Sequence, residues 1–105
     1  MFFLNDAILT ATVNDLPAKF ESHDVIQCVM TTHPQEYVRE LNKKVTAVDP
    51  IQTTHAVIGR TLHRILGIVA VRHVNSVNVR RRKTVNKLWR KLDTTVRPGG
   101  AAAAV

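Results

Sequence analysis

The 105-residue chain has one cysteine, Cys28, so it cannot build an intrachain disulfide framework or a cysteine-based metal centre. Cys28 stands in the apolar run Val25-Ile26-Gln27-Cys28-Val29-Met30. It reads as a buried thiol, and a reducing, cytoplasmic setting is expected. Long hydrophobic runs are also missing: no stretch approaches the roughly 20 apolar residues that cross a bilayer. The opening Met1-Phe2-Phe3-Leu4-Asn5-Asp6 has neither the positive start nor the long apolar core of a secretory signal. No membrane partner is expected.

Carboxylates are scarce where cations are dense, since beyond Pro50 the chain has Asp93 alone. Hydrolytic and group-transfer sites need a paired acid and base or an activated nucleophile, and metal-dependent nucleases gather several carboxylates around their ions. The sequence therefore does not read as an enzyme. The five histidines, His23, His33, His55, His63 and His73, show no ligand spacing of the HExxH kind. No metal, cofactor or small-molecule ligand is expected.

What the chain does have is an ordinary globular composition with a strong internal polarity. Apolar residues make up 45% and charged residues 22%, enough for one hydrophobic core but, at this length, not two. A single domain over residues 1–93 and a flexible tail over 94–105 are expected. Up to residue 50, the basic side chains Lys19, Arg39, Lys43 and Lys44 stand against seven carboxylates, a net of −3. From residue 51 onward eleven Lys and Arg stand against Asp93, a net of +10. Such a half suits a polyanion, because each phosphate neutralised releases condensed counterions.

Periodicity predicts a first helix over roughly Leu4 to Val13, with Leu4, Ile8 and Ala11 on one side and Asn5 and Asp6 in its first turn. Asn14-Asp15-Leu16-Pro17 ends it. Ser22 is the expected N-cap of a short second helix that buries Val25, Val29 and Met30. Proline fits the first turn of a helix, so His33-Pro34 opens a third, to about Lys44. Its apolar stripe is Tyr37, Val38 and Leu41, with Glu36 and Glu40 early and Lys43 and Lys44 late to match the dipole. Asp49-Pro50 repeats the start signal for a fourth helix that reaches about Leu66 and is stopped by Gly67. Beyond it the β-branched residues Ile68 to Val71, Val74, Val77 and Val79 predict one strand, and Val85 to Trp89 a second. The run Arg80-Arg81-Arg82-Lys83 falls at the hairpin tip, which lacks the glycine that tight turns favour. The expected class is α+β, a mainly helical N-terminal part followed by a C-terminal β-hairpin.

On a helical wheel the fourth segment sorts into two faces. Ile51, Ile58, Leu62, Ile65 and Leu66 point inward; Gln52, Thr53, Ala56, Arg60, His63 and Arg64 point outward. The outward set contains the side-chain types that hydrogen-bond base edges and phosphates. His55, on the apolar flank, reads as a hydrogen-bonded, partly buried histidine. Trp89 reads as core. Any amphipathic helix has a polar exposed side, so the outward face gains weight only beside the four adjacent cations, which repel one another unless an anion balances them.

The order of helix, short turn, polar-faced helix and two-stranded hairpin with a basic tip resembles the winged helix-turn-helix superfamily, over residues 20–92. The resemblance implies that the segment from Pro50 to Leu66 enters the major groove and that Arg80 to Lys83 contact the backbone or minor groove. It departs from the pattern in the extra N-terminal helix and in Val45-Thr46-Ala47-Val48, a turn without glycine. The nucleic-acid contacts expected on this basis are Gln52, Thr53, Arg60, His63, Arg64, Arg80, Arg81, Arg82, Lys83 and Lys87. The partner is DNA, with RNA left open, and the role that of a transcriptional regulator or a mobile-element accessory factor. The alternative is a protein-interaction module whose basic hairpin docks on an acidic protein. A homodimer through the first helix is expected from the apolar surface of Phe2, Phe3, Leu4, Ile8 and Leu9.

Overall fold

A computed structural model describes residues 3–77 and 80–92. The expected tail from Thr94, Val79 of the first wing strand and Phe2 lie outside the described residues. Helix α1 spans Asp6–Asn14, strand β1 Lys19–Glu21, α2 Ser22–Thr32, α3 Pro34–Lys43, α4 Pro50–Leu62, β2 Ile68–Val77 and β3 Lys83–Lys91. The class is α+β, with a helical part followed by the hairpin β2–β3, and β1 adds a third strand to that hairpin.

Local chemistry sets the helix starts. Asn5 caps α1, its Oδ1 accepting from the Ile8 N–H at 3.0 Å, so the helix begins after Leu4 rather than at it. Leu4 and Leu9 then occupy the two positions of a hydrophobic staple, both fully buried. α2 starts differently from the expected Ser22 cap: Glu21 is the N-cap and forms a reciprocal capping pair with Asp24, whose Oδ2 accepts from the Glu21 N–H at 2.8 Å. Ser22 is thereby freed to accept from the Trp89 indole N–H at 2.9 Å. The helix is also longer than expected and runs to Thr32. α3 opens with Pro34 in its first turn, and Asp49 caps α4 as the sequence indicates. α4 stops at Leu62 rather than Leu66, because the chain tightens into i→i+3 bonds from Arg64 to Thr61 and from Ile65 to Leu62, and Gly67, at φ 91°, turns it into β2.

The sheet has the order β1-β3-β2 and is antiparallel throughout. Trp89 lies at its centre, opposite Phe20 of β1 and Ala70 of β2. A bulge between Ala70 and Arg72 shifts the register before the hairpin continues to the pair Val77–Lys83. One hydrophobic cluster joins α1 (Leu9, Val13), α2 (Val25, Val29), α4 (Ile58, Leu62) and the sheet (Phe20, Trp89). No helix of the described residues is long and apolar enough to cross a membrane.

Several expected inward residues sit elsewhere. Val38 and Met30 are exposed, and Cys28 is half-buried rather than buried. In α3 the buried partner of Tyr37 is Glu40, not Val38. Its carboxylate accepts from the Phe3 N–H and is flanked by Lys43 Nζ at 3.3 Å and Lys44 Nζ at 3.7 Å. Phe3 in turn lies beneath the Arg39 guanidinium and the Lys43 ammonium. Glu40 therefore ties the N-terminal segment to α3 instead of serving the helix dipole. Leu4, Leu9 and the half-buried Ile8 pack in the chain's own core.

Removing the buried Glu40 carboxylate takes the acceptor from the Phe3 N–H, while Lys43 and Lys44 remain open to water. Glu40→Ala is expected to lower the unfolding free energy by about 2 kcal/mol, against about 0.5 kcal/mol or less for Gln35→Ala on the exposed side of the same helix. Urea denaturation of the two variants measures the difference.

Candidate nucleic-acid interface

Helix α4 carries an unusually polar buried stripe. Thr54, His55, Ile58, Thr61 and Leu62 face the core, and the two threonines are accommodated because their hydroxyls donate to the carbonyls four residues back, Pro50 at 2.9 Å and Val57 at 2.8 Å. His55 is 8% exposed and its Nε2 lies 2.8 Å from the Tyr37 hydroxyl, the hydrogen-bonded position expected for it. Ile51 and Leu66, expected inward, are only half-buried. The opposite face presents exposed Gln52 and Arg60 and the half-buried Thr53 and Ala56. The Thr53 hydroxyl is engaged with the Asp49 carbonyl at 3.0 Å, so its methyl is what remains to offer a ligand.

Side chains of the hairpin reach this helix at its two ends. At the start of α4, Asp49 Oδ1 accepts from the Gln52 N–H at 3.2 Å while its Oδ2 accepts from Arg80 Nη1 at 2.9 Å. Just past the end of α4, Lys87 Nζ lies 2.9 Å from His63 Nε2. Lys87 also lies 5.6 Å from the centre of the Trp89 ring, against which His63 packs edge-on. Between the two contacts is a cleft of about 250 Å³ lined by His23, Gln52, His55, Ala56, His73 and Lys87 among others.

The ten residues expected to contact nucleic acid therefore fall into groups. Gln52, Thr53 and Arg60 share the outer face of α4, and Lys87 and His63 close its far end. Arg80 is committed to Asp49, while Arg81 and Arg82 at the tip are exposed. Lys83 is exposed too, but as the first residue of β3 rather than part of the tip. Arg64 is held by Asp6 at the start of α1, Nη2 to Oδ1 at 2.5 Å, and thus belongs to a tertiary contact instead of the outer face.

Sequence reasoning missed His23 and His73, which the hairpin brings to the cleft. Asn86 Nδ2 donates to Ser76 Oγ at 2.8 Å, and Ser76 Oγ lies 3.3 Å from His23 Nδ1. The bulge after Ala70 sets which strand residues meet there, and no local pattern announces it. Among the described residues Glu21, His23 and Asp24 are the one group of metal-ligand types whose donor atoms come within 4.8 Å of one another. Glu21 and Asp24 are the capping pair of α2, with His23 3.4 Å from each carboxylate, so helix capping accounts for the two carboxylates.

Two groups next to the hairpin tip have displaced acidities. The Arg80 guanidinium, followed by the Gln52 N–H, holds the Asp49 carboxyl below the usual carboxylate range. Burial, assisted by Arg80, holds His55 below the usual histidine range, and burial raises the Tyr37 phenol. No family model, curated protein or solved structure matches the chain.

Both depressed values make the unfolded chain the better proton acceptor, so each contributes stability above its unfolded pKa that is lost as pH falls towards the folded value. Thermal unfolding is expected to weaken first from about pH 7 to pH 5, where unfolded histidine titrates. A second loss follows below about pH 4, where unfolded aspartate does. His55→Gln should flatten the first step. Asp49→Asn, which keeps a capping oxygen, should flatten the second. Melting temperatures across the pH range test both.

Proposed function

We propose that this chain is a DNA-binding protein of winged helix-turn-helix type, acting as a transcriptional regulator or as an accessory factor of a mobile element. Helix α4 is the element that enters the major groove, and the β2–β3 hairpin is the wing that holds the flanking backbone. The observation that carries this reading is the pair of contacts that fix the hairpin along α4, Asp49–Arg80 at one end and His63–Lys87 at the other. They hold α4 and the hairpin on the two sides of one cleft.

Each part of that surface has a chemical role. Arg60 is exposed, with a guanidinium that suits the O6 and N7 of guanine, and Gln52 suits the N6 and N7 of adenine. The Ala56 and Thr53 methyl groups lie between them on the helix and suit a thymine methyl. Arg82 and Lys83 supply charge to phosphates, which fix position without reading sequence. Arg80 acts at one remove: through Asp49 it sets where the tip stands relative to the start of α4.

Binding is tested by fluorescence anisotropy with labelled random duplex DNA, single-stranded DNA and RNA at 50 and 200 mM salt. Duplex affinity is expected to fall on the order of several hundred-fold over that interval, the loss that about five neutralised phosphates give. The double variant Arg82→Ala/Lys83→Ala should flatten the logarithmic salt slope by about two, while Arg60→Ala should chiefly relax sequence preference. Absence of duplex binding at 50 mM overturns the proposal, and tight binding confined to RNA or to an acidic polypeptide redirects it.

A further inference from the structure

The cleft bounded by α2, α4 and the hairpin holds about 250 Å³, just under the roughly 300 Å³ at which sites for drug-sized ligands begin. Hydrogen-bonding side chains dominate its lining, among them Gln52, His55, His73, Asn86 and Lys87, and no carboxylate belongs to it. The most buried of these is His55, 8% exposed. Tyr37 engages its Nε2, while Nδ1 has no hydrogen-bond partner among the described residues. Buried polar atoms ordinarily have a partner, so this nitrogen is left to whatever fills the cleft. His73 stands opposite Lys87 in the β2–β3 register, which puts the two side chains on one side of the hairpin. Lys87 Nζ keeps N–H bonds beyond the one that can reach His63, and Asn86 Nδ2 beyond the one given to Ser76.

We propose that this cleft is a binding site for a small phosphomonoester, with the phosphate held by Lys87, His73, Gln52 and His55 and a short organic body set against Ile26 and Ala56. The inference does not depend on the DNA-binding reading. The N–H groups on offer exceed what the roughly four lone-pair positions of a carboxylate can accept, whereas a phosphate monoester brings three strong acceptor oxygens and a charge of about −1.5 to −2 near pH 7. Nearby carboxylates are engaged outside the lining, Asp49 with Arg80, and Glu21 and Asp24 with the start of α2. The occupant is small because the floor of the cleft is recessed: Ile26 is 7% and His55 8% exposed. A duplex, convex and far wider than the cleft, meets its rim alone.

NMR titration of the histidine ring resonances with glycerol 3-phosphate, inorganic phosphate, glycerol and succinate, at fixed pH and ionic strength, tests this. Glycerol 3-phosphate is expected to shift His55 and His73 saturably, to leave His33, which lies outside the lining, unmoved, and to raise the melting temperature, as a ligand of the folded state does. Inorganic phosphate should shift the same rings at higher concentration, and glycerol and succinate should not. Lys87→Met should weaken binding about tenfold through the loss of a charged donor. Ala56→Leu, which fills part of the cleft from a helix position that suits leucine, should abolish it. Absent or unsaturable shifts, equal shifts with succinate, or unchanged affinity in Lys87→Met overturn the inference. So does a short DNA duplex that moves His55 in the same way, since backbone phosphates then occupy the cleft. Failure of the chain to bind duplex DNA overturns the DNA-binding reading and leaves this inference standing.

Discussion

The indole of Trp89 is held on every side. Its strand neighbours are Phe20 in β1 and Ala70 in β2, its N–H donates to Ser22 at the first turn of α2, and His63 meets its ring edge-on from the end of α4. A tryptophan buries more apolar area than any other side chain and still needs one partner for its N–H, so these contacts define a unique seat. The consequence for function is positional: the sheet is locked to α2 and α4 at this level, and everything beyond Trp89 towards the hairpin tip is carried outward from it. Lys87 is two residues further along the strand on the same side and lies against the same ring. Lys87 is thus placed beside the end of α4 by the seat of Trp89.

Much of this was legible in the sequence. Helix starts at Pro34 and Pro50, the hairpin and its basic tip, the burial of Trp89 and the bonded state of His55 all follow from signals within a few residues. The failures share a cause. β1 has three residues and exists because Phe20 finds Trp89 some seventy positions away; nothing local marks Lys19-Phe20-Glu21 as a strand. Glu40 looks on a helical wheel like a solvent-facing acid suited to a helix dipole, and is buried because the N-terminal segment crosses over it with an N–H to be satisfied. Arg64 was read with the outer face because the helix was expected to continue to Leu66; tightening after Leu62 rotates it to Asp6. Each miss is a long-range partner overriding a correct local preference.

The polarity of the chain acquires a structural meaning in the same way. Acidic residues of the first half are consumed in holding cations of either half: Asp6 takes Arg64, Asp49 takes Arg80, and Glu40 takes Lys43 and Lys44. The sequence from 51 to 92 holds no carboxylate, so the described hairpin and the outer face of α4 stay positive even though Arg64 and Arg80 are paired with acids of the first half. Such a surface attracts a polyanion over the Debye length, about 8 Å at physiological salt.

The distal hairpin is restrained by a different kind of force from its base. β1 covers only Leu88 to Arg90, so from Lys83 to Lys87 the strand β3 has a neighbour on one side alone among the described residues, and an isolated two-stranded ribbon is marginally stable at best. The Asp49–Arg80 pair supplies the tether, with side chains 43% and 29% exposed, open enough to water for salt to screen it. The screening that weakens phosphate attraction therefore also loosens the element that presents the cations, and the two effects act in the same direction. On the proposed reading, a phosphate near Arg80 would compete with Asp49 for the same guanidinium and loosen the tip, while Trp89 would keep the base of the hairpin in place.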